Sequence, residues 1–141
     1  MEYDLPRIRE RIQYIETCLS RLETLRDLPE ETFRSDFRNI EAAKHLLQTA
    51  IEAMMDIASH IAARRRLGTP REGADVFRRL AEVGLLPAER VPVYVRMVRF
   101  RNLVVHLYHE VDAGRIYEIL HTGLEDFRQF IAEIWAIVHQ P

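Results

Sequence analysis

One cysteine and five glycines stand in a chain of 141 residues, and each scarcity removes a class of function. Cys18 alone cannot form an internal disulfide, which fits a reducing compartment. No His or other base sits near it in sequence, so Cys18 reads as a packing residue of a first helix and not as a catalytic thiol. The glycines form no phosphate-cradling loop and no G-x-S-x-G elbow. No apolar run approaches the length needed to cross a bilayer. The start, Met1-Glu2-Tyr3-Asp4, lacks the basic-then-apolar order of a secretory signal, so a cytoplasmic protein is expected. The formal net charge of −2 gives no global basic signature for nucleic acid. No segment alternates with period two over the length of a strand, and there are no repeats or low-complexity stretches.

What is present is helix. Apolar residues make up 48% of the chain and charged residues 30%, as in a soluble globular domain, and residues 1–141 are expected to form one domain. Ile8, Ile12, Ile15, Leu19 and Leu22 recur at three-and-four spacing, predicting a helix from Pro6 to Arg26. Asp27-Leu28-Pro29-Glu30 resembles a capped helix start, with Asp27 as the cap of a short turn to Phe33. A long helix is expected from Asp36 to Arg65, with the stripe Phe37, Ile40, Ala43, Leu47, Ala50, Met54, Ile57 and Ile61. Thr69-Pro70-Arg71-Glu72 reads as a capping box opening a helix that ends at Gly84. Another runs from Ala88 to Tyr108, with Pro92 in its first turns. Asp112 caps the closing helix, whose stripe is Ile116, Ile119, Leu120, Leu124, Phe127, Ile131, Ile134 and Val138. The fold class is all-α, an antiparallel bundle of four to five helices.

The segment Arg101-Asn102-Leu103-Val104-Val105-His106-Leu107-Tyr108 concentrates the chemistry. Arg holds a phosphate bidentately and stays charged. His exchanges a proton near neutral pH. Asn102 adds an amide donor. Positions five apart lie about 140° from each other around a helix, so Arg101 and His106 do not share a face. Asn102 with His106, and Arg101 with Tyr108, do. Either the helix is irregular here, or the long Arg reaches around, or a second copy of the chain completes the site; the last two together fit best. The plain alternative is a surface His and a solvated Arg. From Arg90 to His109 there are four Arg (Arg90, Arg96, Arg99, Arg101) and no acid, an excess that could bind phosphates. Arg90 reads better as a solvated cation. The Arg64-Arg65-Arg66 run fits a helix end, where cations meet the dipole.

With its surroundings the segment resembles the HepT-like family of HEPN domains. Phe100-Arg101-Asn102, then Val104-Val105-His106-x-Tyr108 and Val111-Asp112, carry the signature. The stretch from Ala50 to Ile61, Phe77-x-x-Leu80, Gly84-Leu85-Leu86 and the closing helix from Ile116 to Val138 agree in order and spacing. The resemblance implies a homodimer with Arg and His of both copies facing a shared cleft. It implies a metal-independent endoribonuclease toxin with no cofactor, in which His106 is the general acid or base and Arg101 stabilises phosphoryl charge. Asn102 would position the phosphate. It also implies a partner, a nucleotidyltransferase antitoxin of the MntA kind that adds AMP to Tyr108. RNA is the implied substrate, tRNA being one family-level target.

Other constellations are weaker. Glu52, Asp56 and His60 stand four apart on the long helix, but no second helix offers a matching Glu-x-x-His, so no metal site is assigned. Glu52 or Asp56 lies near the Arg101/His106 cleft and orients a side chain there, or both belong to a solvated face. His106-x-x-His109 lacks further zinc ligands. Trp135 and Tyr117 read as core or interface. Two other functions stay open: a non-catalytic nucleotide- or partner-binding subunit of a minimal nucleotidyltransferase, and a purely structural oligomerising bundle.

Overall fold

The computed structural model describes residues 3–68 and 70–140. Its elements are α1 (Leu5–Arg26), α2 (Glu30–Ser35), α3 (Phe37–Arg64), α4 (Asp75–Glu82), α5 (Val91–His106), α6 (Ala113–Thr122) and α7 (Leu124–Val138). Short 3-10 turns at Ala88–Arg90 and Tyr108–Glu110 flank α5, and there is no strand among the described residues. Three helices start on aspartate caps. Asp4 accepts from the Arg7 amide (3.2 Å), Asp36 from Arg38 (3.0 Å) and Asp112 from Arg115 (2.8 Å), each satisfying an amide that the helix leaves unpaired.

Helices α1 and α3 run antiparallel. The Asp4 amide at the start of α1 donates to His60 Nε2 near the end of α3 (3.0 Å), and Tyr14 Oη donates to Thr49 Oγ1 (2.7 Å) midway. The α1 stripe, Ile8, Ile12, Ile15, Leu19 and Leu22, is buried against α3, with Cys18 beside it. An aromatic cluster joins α4, α5 and α7: the Phe77 ring lies 5.4 Å from Tyr94 and 5.9 Å from Phe130.

Several boundaries depart from the sequence reading. Asp27 does not cap the second helix. It terminates α1, its amide donating to the Glu23 carbonyl (3.1 Å), and extended Pro29 separates it from α2. The capping box at residue 70 does not open a helix; Thr69 lies outside the described residues, and residues 71–74 form turns before α4 starts at Asp75, whose carboxylate accepts from the Glu72 amide. Helix α4 does end at Gly84, whose φ of +79° lets the Leu85 amide fold back onto the Leu80 carbonyl (2.9 Å). The closing helix is two helices, because the chain turns at Gly123 while the apolar stripe continues across the turn. Phe37, expected in the core, is 72% exposed at the first turn of α3.

Phe77→Ala should cost about 3–5 kcal/mol by emptying the centre of the aromatic cluster. Phe37→Ala should stay within about 0.5 kcal/mol of the parent. Urea denaturation of the two variants measures the contrast.

His60 must be unprotonated at Nε2 to accept the Asp4 amide. Burial first, then the Arg64 and Arg7 charges, hold its pKa below the ordinary 6.5. The unfolded chain therefore takes up the proton first, and the latch loses stability as pH falls below about 6.5 toward the folded value. Amide protection in the first turn of α1 should drop over that range, and His60→Gln should flatten the dependence.

Candidate active site at the end of the fifth helix

Helix α5 packs antiparallel to α3 and carries Arg101, Asn102 and His106. Glu52 on α3 is the partner of Arg101. Its Oε2 accepts from Nε (3.0 Å) and Nη2 (2.6 Å), and Asn102 Oδ1 accepts from Nη1 (3.0 Å). These bonds hold the guanidinium at a quarter exposure and engage three of its N–H groups. The others have no partner among the described residues and remain available to an anion.

His106 is the last residue of α5 and is exposed, one turn beyond Asn102 on the same face. The helix stays regular through Arg101 and stops at Leu107 (φ −132°, ψ 49°). The irregular helix that would bring Arg101 and His106 onto one face is thus not present. Nor do Arg101 and Tyr108 share a face, because Tyr108 lies beyond the helix in the 3-10 turn Tyr108–Glu110. Val105 and Leu107, on either side of His106, are exposed apolar residues.

Of the two acids, only Glu52 meets Arg101. Asp56, one turn further along α3, faces Arg11 at 3.6 Å. Both line a cleft of about 220 Å³ with Arg11, Tyr14 and Thr49. His60 is engaged by the Asp4 amide, so the Glu52, Asp56 and His60 row is divided among three different partners.

Arg90 is not the solvated cation that its position suggests. Its side chain is 18% exposed, donates to Asp126 (3.1 Å), approaches Glu133 (3.6 Å) and stacks on the Tyr94 ring. Tyr94 donates to Glu133 (2.5 Å), and burial pushes both the Tyr94 phenol and the Glu133 carboxyl above their ordinary ranges. This network ties the start of α5 to α7. Arg96 and Arg99 are exposed, and Arg64 ends α3 as a cation at its C-terminus. Tyr117 donates to the Leu28 carbonyl (2.8 Å) beside Phe33, and Trp135 is partly buried.

One contact at this end of the bundle escapes the sequence reading. The ammonium of Lys44 on α3 lies 4.1 Å from the centroid of the Tyr108 ring and donates to the Tyr108 carbonyl (3.2 Å). The available signal was a lone lysine, three residues before Leu47, on the flank of an apolar stripe.

The profile of the family described as Ribonuclease HepT-like matches residues 15–134, which include Lys44, Glu52, Arg101, Asn102, His106 and Tyr108. The chain belongs to the HepT-like ribonuclease family. This HepT-like chain is 33% identical over 129 residues to the mRNA nuclease HepT of Shewanella oneidensis, covering 92% of this chain and 96% of that one. It is 22% identical over 127 residues to the tRNA nuclease HepT of Aphanizomenon flos-aquae, covering 90% and 86%. Its fold superimposes with a TM-score of 0.86 on the tri-AMPylated Shewanella oneidensis HEPN toxin, solved in complex with MNT antitoxin, at 32% identity and covering 96% and 99% of the two chains.

Glu52→Gln should lower stability by about 1 kcal/mol, since it weakens a partly buried charge-assisted pair while keeping its size. The urea midpoint against the parent measures it.

Proposed function

We propose that this HepT-like chain is a metal-independent endoribonuclease toxin, silenced when a nucleotidyltransferase antitoxin adds AMP to Tyr108. The observation that carries this reading is the Arg101 guanidinium, fixed by Glu52 and Asn102 with N–H groups to spare, on the helix that ends at His106. The nuclease names of the curated relatives, and the AMP-carrying toxin bound to its antitoxin in Shewanella oneidensis, support it.

The chemistry follows from the residues. The RNA 2′-hydroxyl attacks the adjacent phosphorus and the bond to the 5′-oxygen breaks. One group must take the 2′ proton and another must protonate the leaving oxygen. Arg101 stabilises the charge that builds on the phosphoryl oxygens, and Asn102 holds the phosphate through its amide. Each chain offers one His106, on a different face of α5 from its Arg101. A homodimer brings two, one as base and one as acid, and places a partner's His opposite the face that Arg101 occupies. The exposed Val105 and Leu107 that flank His106 suit such a contact.

Tyr108 lies two residues past His106. AMP on its phenol would set a phosphate anion and a nucleoside beside the cleft, competing with substrate for Arg101 and filling the approach to His106. Such a toxin acts where RNA and nucleoside triphosphates are found, in the cytoplasm. Its relatives are named for both mRNA and tRNA cleavage, so the 2′-hydroxyl and the phosphodiester define the substrate class here.

Purified chain in EDTA, free of any adduct on Tyr108 by intact mass, should cut RNA and leave the matched DNA intact. His106→Ala should reduce the rate at least ~100-fold with the fold retained. Arg101→Lys should also fail, since an ammonium cannot replace a bidentate guanidinium. No cleavage by the folded, unmodified dimer would instead indicate a nucleotidyltransferase-binding subunit.

A further inference from the structure

Lys44 is the one buried charged residue among the described residues, at 5% exposure. Burying an ammonium is costly unless its surroundings compensate it. Both of its compensating contacts are with the same residue. Nζ donates to the Tyr108 carbonyl oxygen at 3.2 Å and sits over the Tyr108 ring at 4.1 Å from the centroid. The first contact fixes the backbone of the turn and the second fixes the plane of the ring. The ring also meets the His109 ring edge-to-face, with centroids 5.9 Å apart.

The turn needs this support. Tyr108–Glu110 is one turn of 3-10 helix, closed by a bond from the Glu110 amide to the Leu107 carbonyl (2.9 Å) and a long one from Val111 to Tyr108 (3.4 Å). A half-buried tyrosine on so short a turn would otherwise sample several rotamers. Contacts with both Lys44 and His109 restrain the ring.

We propose that Lys44 is a positioning residue for the modification of Tyr108, holding the phenol in the orientation from which its oxygen meets the nucleoside triphosphate. This rests on Tyr108 being the AMP acceptor. In the transfer the phenolic oxygen forms a bond to the α-phosphorus of ATP and the bond from that phosphorus to the bridging oxygen breaks. Pyrophosphate leaves, and the phenol proton passes to a base of the nucleotidyltransferase or to water. Lys44 touches the ring and the carbonyl, not the reacting oxygen. Its cation on the ring face also favours the electron density that gathers on the ring as the phenol loses its proton. A misplacement of about 1 Å is enough to slow such a step roughly 100-fold, so losing one of two restraints should slow it about tenfold.

The test uses the full chain with MNT antitoxin and ATP. AMP gain is followed by intact mass over time and over a range of ATP concentrations, with Tyr108→Phe as the blank. Lys44→Met keeps the length and the apolar stem and removes the cation. The expected result is a kcat for AMP transfer about tenfold lower at unchanged KM for ATP, with Lys44→Arg recovering most of the rate and RNA cleavage retained in both. A merely structural anchor would lower thermal stability without that split between kcat and KM. AMP transfer to Lys44→Met at the parent rate overturns the inference and leaves the Tyr108 reading standing. No AMP on the parent chain, or AMP on another residue, overturns both. If Lys44→Met does not fold, Lys44→Gln keeps a donor for the carbonyl without the charge, and a parent rate there overturns the inference equally.

Discussion

The pair between Glu52 on α3 and Arg101 on α5 sets the geometry of everything at this end of the bundle. Apolar packing brings the two helices together, but side chains such as Val98 and Val104 tolerate small rotations of a helix about its axis. A doubly bonded guanidinium does not. With Arg101 tied to α3, the rotational setting of α5 is fixed, and His106 must emerge about 140° further round. The separation of cation and imidazole within one chain follows from an ion pair that makes the cation rigid.

A second tie joins the same two chain segments about two helical turns away. Lys44 reaches across from α3 to the turn that follows α5 and holds Tyr108 by ring and carbonyl. The two ties have opposite polarity. On α3, the acid grips the Arg of the helix and the base grips the Tyr of the turn. Between them α5 ends at His106, leaving that residue at a helix terminus with its side chain exposed. The restrained groups flank an unrestrained one, a suitable arrangement if the imidazole must move a proton between two oxygens of a substrate.

The sequence made the helices legible wherever one face is apolar along its length, as with the isoleucine stripe of α1. It also made the Asp112 cap readable, where a single side chain decides the boundary. It misled where two local signals competed. The apolar stripe runs straight across Gly123, so periodicity hides the turn between α6 and α7. Asp27 and Glu30 have the spacing of a capping box, yet Pro29 holds the backbone extended between them. Within the site, Arg101, Asn102 and His106 could be placed on one helix from spacing alone. That Glu52, rather than Asp56, meets Arg101 depends on the register of α3 against α5, which no local pattern carries. Lys44 with Tyr108, and Arg90 with Asp126 and Glu133, are pairings of residues far apart in sequence, and only the packed structure brings them together.

Nineteen of the twenty basic side chains are arginine. The single side-chain amine is therefore Lys44, and the fold buries it. Acylating reagents, aldehydes and lysine-directed proteases meet no accessible lysine on the folded domain, although arginine covers its surface. The one lysine side chain on which such reagents could act is reached when the turn bearing Tyr108 lifts away from α3. The reactivity of that one side chain is thus a built-in gauge of how often the turn after α5 opens.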